Sequence, residues 1–345
     1  MTAVRSQVFE RLNGLALADA AERHQALMAL AHAGARWRAF HPVNDLTGPE
    51  DAIAQLYAPL ADAMPDLERR DLIFVAGAYG GKTFIAACGH YSGTFQRPWL
   101  GIPPTGRLLH VRYGEVYEIA DGRVAEATLI WDVLDVIRQA GLWPLRHSTG
   151  REGLWLGPRT PDGVRLTDSD PTQSEQSIAQ TLAMHQTLFA FDQRTPTREG
   201  LLTMEQRDYW HRNMMWFGPA GIGSNRGLAG FVDQHQLPFR QAFQRPRGTA
   251  DEIAARRAKF DAEHFVRIGD GPYSVTAGWP SFVAHHYGGD FCGFAPTHRD
   301  ITMRVMDFYR HDDGLIRENW VPIDMLDVFR QMDVDILGSL GAAQS

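Results

Sequence analysis

Two aspartates hold the same position in a stretch of sequence that the chain contains twice. Residues 122–139 recur as residues 314–331, and Asp132 in the first copy corresponds to Asp324 in the second. In each copy an alternating apolar pattern, typical of a strand, changes to helical spacing next to the aspartate. A carboxylate at such a junction can transfer protons when apolar surroundings raise its pKa. It can equally cap the helix that follows, and the sequence leaves both interpretations open.

Histidines are the next candidates for chemistry, because an imidazole can relay protons near neutral pH. His235 lies on an apolar helical stripe, which is compatible with a core histidine or with the wall of a cavity. His286 and His90 each precede a tyrosine and nearby glycines, and we interpret this as one motif in both halves. A surface histidine near a loop fits the same pattern. We take His235 and His286 as candidate catalytic residues and His90 as a candidate substrate-binding residue.

Aromatic and methionine side chains supply candidates for binding an apolar ligand. Met215 and Trp216 belong to a Met-Met-Trp-Phe run, and Tyr57 and Phe239 lie on apolar stripes of two predicted helices. Together they would form an apolar wall for a bulky molecule. An ordinary hydrophobic core explains the same residues equally simply.

The elements of the first half begin with helices and continue with strands. Residues 17–39 are rich in alanine and predict a helix that ends before the His-Pro pair at residues 41–42, because a residue before proline is disfavoured in a helix. The helix that carries Tyr57 is predicted to bend at Pro59. Glycine-punctuated apolar segments between residues 71 and 118 predict strands.

The second half repeats this order. A helical piece is predicted around residues 203–216, and Pro238 corresponds to Pro59, so the bent helix is repeated as well. Strands follow between residues 271 and 309. Corresponding positions of the two copies are further apart in the sheet segments than in the bent helices. This larger offset indicates an insertion in the second half, around residues 247–259.

Length and composition favour two domains. A chain of 345 residues suits two units of about 150 residues better than one. A segment rich in glycine and proline separates the halves, so we expect a first domain at residues 1–150, a linker at 151–172 and a second domain at 173–345.

Charge and hydropathy argue against several classes of partner. The net charge is −7, with acidic and basic residues interspersed, which disfavours nucleic acid and anionic membranes. We find no apolar run of transmembrane length and no signal-like N-terminus. No metal-ligand spacing of the His-Glu-x-x-His kind occurs, and the two cysteines offer no disulfide framework. We therefore expect a cytoplasmic protein without metal or cofactor.

Several spaced motifs together resemble the SnoaL-like polyketide (ester) cyclases, which belong to the cone-shaped α+β superfamily named after nuclear transport factor 2. They are His-Pro at residues 41–42, Gly-x-Pro-Pro-Thr-Gly at residues 101–106, and Glu-x-Trp-x-x-x-Asp through Glu318, Trp320 and Asp324. The resemblance covers roughly residues 37–141 and 216–333.

The resemblance implies two tandem cones, each with N-terminal helices packed on a strongly curved, mainly antiparallel sheet. It also implies metal-free acid/base catalysis on a small hydrophobic polyketide-like carbonyl compound, by aldol ring closure or a related isomerisation or hydrolysis. The family motif gives the acid/base role to Asp324, with Asp132 as its twin, and places Glu318 and Trp320 at the substrate. The alternative is a non-catalytic small-molecule-binding or scaffold protein of the same fold.

The two units have diverged, and their pairing is a further expectation. Thr128 stands where the motif of the first unit would have tryptophan, and His298 and Asp333 replace glycines of the second. We hypothesise that one unit is catalytic and the other structural. Folds of this kind often dimerise through the open sheet face, so we expect an intrachain pseudo-dimer and consider a homodimer possible.

Overall fold

The chain forms two compact units. The computed structural model describes residues 2–17, 19–190, 196–244 and 249–342. The first unit consists of Met1–Pro144, Gly157–Ser169 and Asp335–Ser345, and the second of Leu145–Leu156 and Asp170–Val334. Within the described residues, no helix combines the length and apolar character needed to cross a bilayer.

The first unit alternates helices with a six-stranded sheet. Its elements are α1 (Thr2–Leu17), α2 (Ala20–Leu30), β1 (Ala31–Ala39), β2 (Asp45–Thr47), α3 (Gly48–Ala52), a π-helical turn (Ile53–Tyr57), α4 (Ala58–Ala63), β3 (Glu68–Tyr79), β4 (Lys82–Thr94), β5 (Leu108–Ala120), β6 (Arg123–Trp131) and α5 (Val133–Gln139).

The second unit repeats this order with additions. Its elements are α6 (Pro171–Ala190), α7 (Arg198–Thr203), a 3₁₀ turn (Glu205–Asp208), β7 (Trp210–Phe217), β8 (Asn225–Arg226), α8 (Gly227–Phe231), a π-helical turn (Val232–Gln236), α9 (Leu237–Ala242), β9 (Phe243–Gln244), α10 (Ala250–Lys259), β10 (His264–Asp270), β11 (Tyr273–His286), β12 (Asp300–Asp312), β13 (Leu315–Trp320) and α11 (Met325–Gln331). Helix α12 (Ile336–Ala342) follows in the chain and belongs to the first unit.

Both sheets have the same strand order. The first runs β2-β1-β6-β5-β4-β3, and the second runs β8-β7-β13-β12-β11-β10, with β9 paired to β11. In the described part of each sheet, β1–β6 and β7–β13 are the parallel pairs, and the remaining neighbours are antiparallel. This confirms the predicted α+β class with two tandem units and mainly antiparallel sheets.

Two helices expected from the sequence are in part strands. The helix predicted over residues 17–39 ends at Leu30, and Ala31–Ala39 is β1. The piece predicted around residues 203–216 contains β7, Trp210–Phe217. Both segments pair in parallel with the last strand of their unit. Tertiary pairing therefore overrides the helix propensity of the alanine-rich sequence.

The predicted bend of the repeated helix takes a specific form. Each proline, Pro59 and Pro238, follows a π-helical turn, Ile53–Tyr57 in the first unit and Val232–Gln236 in the second. Such turns reorient the side chains that follow them and are frequent at functional sites. In the second unit this turn carries His235.

The segment expected to link the domains is divided between them. Phe74 in β3 exchanges backbone hydrogen bonds with Gly163 and Arg165 in the first unit, at 2.8 Å each. Arg151 exchanges backbone hydrogen bonds with Ser224 in the second unit, at 2.7 and 2.9 Å. Of the insertion expected around residues 247–259, residues 247 and 248 lie outside the described part, and Ala250–Lys259 is α10.

Helix α6 is fixed tightly against β10 in the second unit. The Ser177 hydroxyl donates to the carbonyl of Gly271 at 2.7 Å, and the Gly271 amide donates to the Ser174 hydroxyl at 2.9 Å. A β-carbon on Gly269 would lie 2.0 Å from the Ser174 carbonyl oxygen. The glycine therefore allows the helix to approach closely, which determines where α6 places its side chains.

Replacing Gly269 by alanine should loosen this attachment. We expect Gly269→Ala to destabilise the second unit by about 1–3 kcal/mol, because the helix backbone must move away from the strand. Gly230→Ala is the matched control, since its β-carbon would lie 3.7 Å from the nearest atom and alanine favours a helix. Urea denaturation checks both, and equal stability of the two variants would contradict the predicted close packing.

Candidate active site in the second unit

A cavity of about 160 Å³ lies in the second unit between the sheet and the helices that cover it. The alternation of the strands selects its lining. Val305, Asp307 and Tyr309 face it from β12, and Asn319 faces it from β13. Helix α6 contributes His185. The wall is therefore apolar, with a small number of polar groups at defined positions.

Asp307 is the only acid among the described residues that line this cavity. Asp307 as a whole residue is half-buried, and it lies at the cavity wall with protein packed around it. Burial raises the pKa of Asp307 to about 6, and interactions with Asn319 and Tyr309 offset part of that rise. The Asn319 amide lies 3.4 Å from the carboxyl oxygen. A carboxyl group with this pKa can both accept and return a proton near neutral pH.

A hydrogen-bonded pair adjoins the carboxyl group. The Tyr309 hydroxyl lies 2.7 Å from Nε2 of His185, which α6 supplies. Burial, followed by the charge of Asp307, raises the pKa of Tyr309 well above its usual value. Tyr309 therefore remains a neutral hydroxyl that connects the carboxyl group to an imidazole.

His235 forms part of the apolar wall. Its ring stacks on Trp216 with centroids 4.2 Å apart, and Phe239 lies 5.5 Å away on the other side. Burial, assisted by the charge of Arg240, lowers the pKa of His235 to about 3. The imidazole is therefore neutral under ordinary conditions. His235, Trp216 and Phe239 all line the cavity, as the sequence analysis expected of cavity residues.

The two aspartates of the repeated motif are placed elsewhere. Asp324 caps α11 by accepting the amide of Asp327 at 3.2 Å, and its other oxygen accepts Arg304 at 2.9 Å. Asp132 caps α5 in the same way and accepts Arg112 at 2.7 Å. Both carboxylates are buried, and Asp324 does not line the cavity. These contacts are the ones that the capping interpretation predicts.

The glutamines of the motif complete this attachment. Gln331 donates to the Thr302 carbonyl at 2.9 Å and accepts the Thr302 amide at 2.8 Å. Gln139 makes the same pair of bonds to His110, at 2.7 and 3.1 Å. The repeated sequence therefore fastens the helix that ends each copy to the neighbouring strand.

Three residues assigned to substrate binding point away from the cavity. Trp320 stacks on Phe217 at 5.2 Å, and its indole nitrogen donates to the Leu156 carbonyl at 2.7 Å. Glu318 shares that face and lies 3.9 Å from Arg310. Met215 pairs with Glu318 in register. The expectation that Glu318 and Trp320 share a face holds, but Asn319 between them is the residue at the cavity.

His286 is buried outside the cavity lining. Its ring stacks on Phe243 at 4.8 Å, and its Nδ1 accepts the backbone amide of Thr297 at 3.3 Å. Burial, with the charges of His298 and His285, lowers its pKa. The contacts are those of a core histidine next to the cavity wall.

His90 and Tyr57 lie in the first unit. His90 packs against the His110 ring at 5.3 Å, and burial is the main cause that lowers its pKa to about 3. Tyr57 packs against Trp37 and Trp131, with centroids 6.2 and 6.0 Å apart. Neither residue belongs to the cavity of the second unit.

The first unit holds an acid at the position that corresponds to Asp307. Glu115 is fully buried. Its oxygens accept Arg69 at 2.6 Å, Tyr117 at 2.6 Å, Trp131 at 2.8 Å and Tyr91 at 3.1 Å. A charged partner and three further donors satisfy this carboxylate, so the interior that forms a cavity in the second unit holds a bonded network in the first.

The arginine of this network has no equivalent strand position in the second unit. Arg69 lies in β3 opposite Tyr91 of β4. Phe282 in β11 corresponds to Tyr91 in β4. Phe282 pairs with Met303 and Tyr91 pairs with Val111, and Met303 and Val111 are equivalent positions of the repeat. The pairing of β10 stops at Gly278, before it reaches Phe282. Among the residues that the structure describes, the shorter strand therefore brings no arginine opposite Phe282.

A sequence signal for Asp307 exists, although it is weaker than the motif that drew attention to Asp324. Glu115 and Asp307 are separated by the same interval as Asp132 and Asp324. Each stands in the middle of an apolar strand, where a charge requires a partner or a shifted pKa. Extending the comparison of the two copies to the strand before the repeated stretch would have identified Glu115 and Asp307 as corresponding acids.

Grouped metal ligands do not occur in the part of the chain that the structure describes. Among those residues no three side chains of His, Cys, Asp or Glu come together as they would around a metal ion. The polar side chains among the described residues of the cavity lining are one carboxyl group, two hydroxyls, two amides, three imidazoles and one guanidinium, besides the indoles; they belong to Asp307, Ser281, Tyr309, Gln236, Asn319, His185, His235, His264 and Arg240.

Comparison with known proteins identifies the family. A family model described as SnoaL-like polyketide cyclase matches residues 21–140 and 232–332, one region in each half and together more than half of the chain. A search of curated proteins found no match.

Solved structures match one unit at a time. A SnoaL-like protein from Jannaschia sp. CCS1 is 24% identical, covers 40% of this chain and 94% of its own, and has a TM-score of 0.32. TsrD from Streptomyces laurentii is 25% identical and covers 40% and 96%, with a TM-score of 0.33. IdmH from Streptomyces antibioticus is 21% identical and covers 39% and 99%, with a TM-score of 0.33.

Removing Arg69 should destabilise the first unit. We expect Arg69→Met to cost on the order of 3–5 kcal/mol, because it leaves Glu115 buried without its charged partner. Arg70→Met is the control, since the neighbouring side chain is 63% exposed and pairs with Glu68 at the surface; its effect should stay within about 0.5 kcal/mol. Chemical denaturation measures both, and similar losses in the two variants would refute the proposed importance of the buried pair.

Asp307 should make the stability of the second unit depend on pH. Its pKa rises from 3.8 to about 6 on folding, so the folded state favours the neutral acid. Stability is therefore lost as pH rises from about 4 to about 6, by roughly 3 kcal/mol in total. Denaturation at pH 4 and pH 7 should show Asp307→Asn gaining that amount relative to the unmodified protein. A difference that stays constant between the two pH values would disprove the shifted pKa.

Proposed function

Because the chain belongs to the SnoaL-like polyketide cyclase family, we propose that it is a cofactor-independent enzyme whose active site is the cavity of the second unit. Membership of the family supports a cyclase- or isomerase-type role. The proposed substrate is a small hydrophobic carbonyl compound, since apolar and aromatic side chains make up most of the wall. The proposed reaction is an aldol ring closure or a related isomerisation.

The observation that carries this proposal is the position of Asp307, the only acid among the described residues that line the cavity. In such a reaction a base removes a proton from a carbon next to a carbonyl group, and an acid then protonates the acceptor oxygen. One carboxyl group can perform both transfers when its pKa lies near the working pH. Burial brings Asp307 to about 6. Asp307 therefore takes, in this proposal, the acid/base role that the family motif had assigned to Asp324.

Neighbouring groups have complementary roles in the proposed mechanism. The Tyr309 hydroxyl can donate its hydrogen bond to the developing enolate oxygen while Nε2–H of His185 donates to the Tyr309 oxygen at 2.7 Å and holds the hydroxyl in position. The neutral ring of His235 and the indole of Trp216 form a flat wall against which a planar substrate can stack. The guanidinium of Arg240 faces the same space and favours a negative charge there.

We assign catalysis to the second unit and a structural role to the first. Glu115, at the position of Asp307, is held by Arg69 and three further donors, so it is not available as a base. The pairing of the two units and the formation of a homodimer stay predictions.

Substitution of Asp307 provides the direct test. Proton abstraction can be followed by NMR as deuterium exchange at the carbon between the carbonyls of aromatic β-keto esters, after subtraction of the uncatalysed rate. We expect Asp307→Asn to lower the enzymatic rate by about 10²–10⁴-fold, the usual contribution of a general base. For the unmodified protein, kcat/KM should rise with pH through about 6, as the carboxyl group of Asp307 loses its proton.

Asp324→Asn is the matched comparison. Asparagine keeps the helix cap, so this variant should retain most of the rate although it loses the ion pair with Arg304. A reversal, with Asp324→Asn inactive and Asp307→Asn active while both remain folded, would return the acid/base role to Asp324. Binding without exchange in the unmodified protein would favour the non-catalytic alternative.

A further inference from the structure

A second, more open recess adjoins the cavity. Its volume is about 530 Å³, and it shares His185, His264 and Ser281 with the cavity lining. The shared residues form the boundary between the two spaces. The cavity and the recess are therefore separated by no more than these three side chains, so we infer that a ligand in the cavity can reach the recess with one end.

The recess is cationic in an acidic protein. Arg257 and Arg267 line it, together with the two histidines. Among the described residues of its lining there is no Asp or Glu, whereas the whole chain has a net charge of −7. The exposed Arg257 lies on α10, the helix inserted in the second unit, and the half-buried Arg267 lies on β10. The insertion thus adds a positive charge beside the proposed active site.

The effect of the two guanidinium groups is evident at His264. Burial is the largest cause that lowers the pKa of His264 to about 4, and the charges of Arg267 and Arg257 lower it further. His264 is therefore neutral at physiological pH, while both arginines remain charged. A positive potential directed at the boundary between recess and cavity favours an anion there.

We propose that the recess binds an anionic group, a carboxylate or a phosphate, at one end of a substrate whose apolar body occupies the cavity. This inference rests on the proposed function and specifies its substrate as an amphiphilic carbonyl compound that carries a negative charge. The forked guanidinium of Arg267 suits bidentate contact with carboxylate or phosphate oxygens. Arg257, at the outer side, attracts the anion and contributes less to the final contact.

Matched aromatic ligands test the proposal on the full-length protein. Isothermal titration calorimetry should be performed with 1-naphthoate, methyl 1-naphthoate and 1-naphthyl phosphate. We expect both anions to bind more tightly than the neutral ester, and the order of the two anions identifies carboxylate or phosphate as the preferred group. Arg267→Gln should weaken anion binding roughly 10-fold or more and leave ester binding unchanged, because one charge-assisted contact is lost.

Arg256→Gln is the control, because it also removes one positive charge near the recess, at a residue of α10 that pairs with Asp300 and does not line the recess. It should leave the preference for anions intact. Equal binding of the anions and the ester, binding of none of them, or equal losses in the Arg256 and Arg267 variants would overturn the proposal.

Asp307→Asn separates the two proposals. Its preference for anions should persist although proton abstraction is lost. An anion preference in a protein without exchange activity would refute the proposed function alone, whereas activity without the preference would refute the anionic recess alone.

Discussion

A carboxyl group in a protein interior needs either a charged partner or a proton, and each unit of this chain meets that requirement differently. Glu115 in the first unit is paired with Arg69 and accepts three more hydrogen bonds. Asp307 in the second unit has a raised pKa instead. The same strand position thus holds an acid within a hydrogen-bonded network in one unit and an acid beside a cavity in the other.

The repeated aspartate motif serves the fold. Arg112 and Arg304 each hold the capping carboxylate at the start of a terminal helix, at 2.7 and 2.9 Å. At the end of each helix a glutamine, Gln139 or Gln331, donates a hydrogen bond to a backbone carbonyl of the strand that carries the arginine. Because this attachment is needed in every copy of the unit, its sequence is kept twice, whereas a residue specific to one active site is under no such requirement.

Local patterns in the sequence predicted the class of the fold but only part of its detail. The order of helices and strands and the duplication were readable, since they depend on periodicity. The sequence did not predict the strands Ala31–Ala39 and Trp210–Phe217, because their conformation depends on pairing with a strand that is distant in the chain. His235, Trp216 and Phe239 line the cavity, whereas the stripe and the run that carry them were equally compatible with an ordinary core. The facing of Trp320 was not readable, because alternation shows which residues share a face but not which face meets the ligand.

The short β10 has a consequence for how such a pair of units diverges. The strand in the first unit extends far enough to deliver Arg69 into the interior, and its counterpart stops before that point. Shortening one strand can therefore remove the counter-ion of an interior carboxyl group and open space beside that group at the same time.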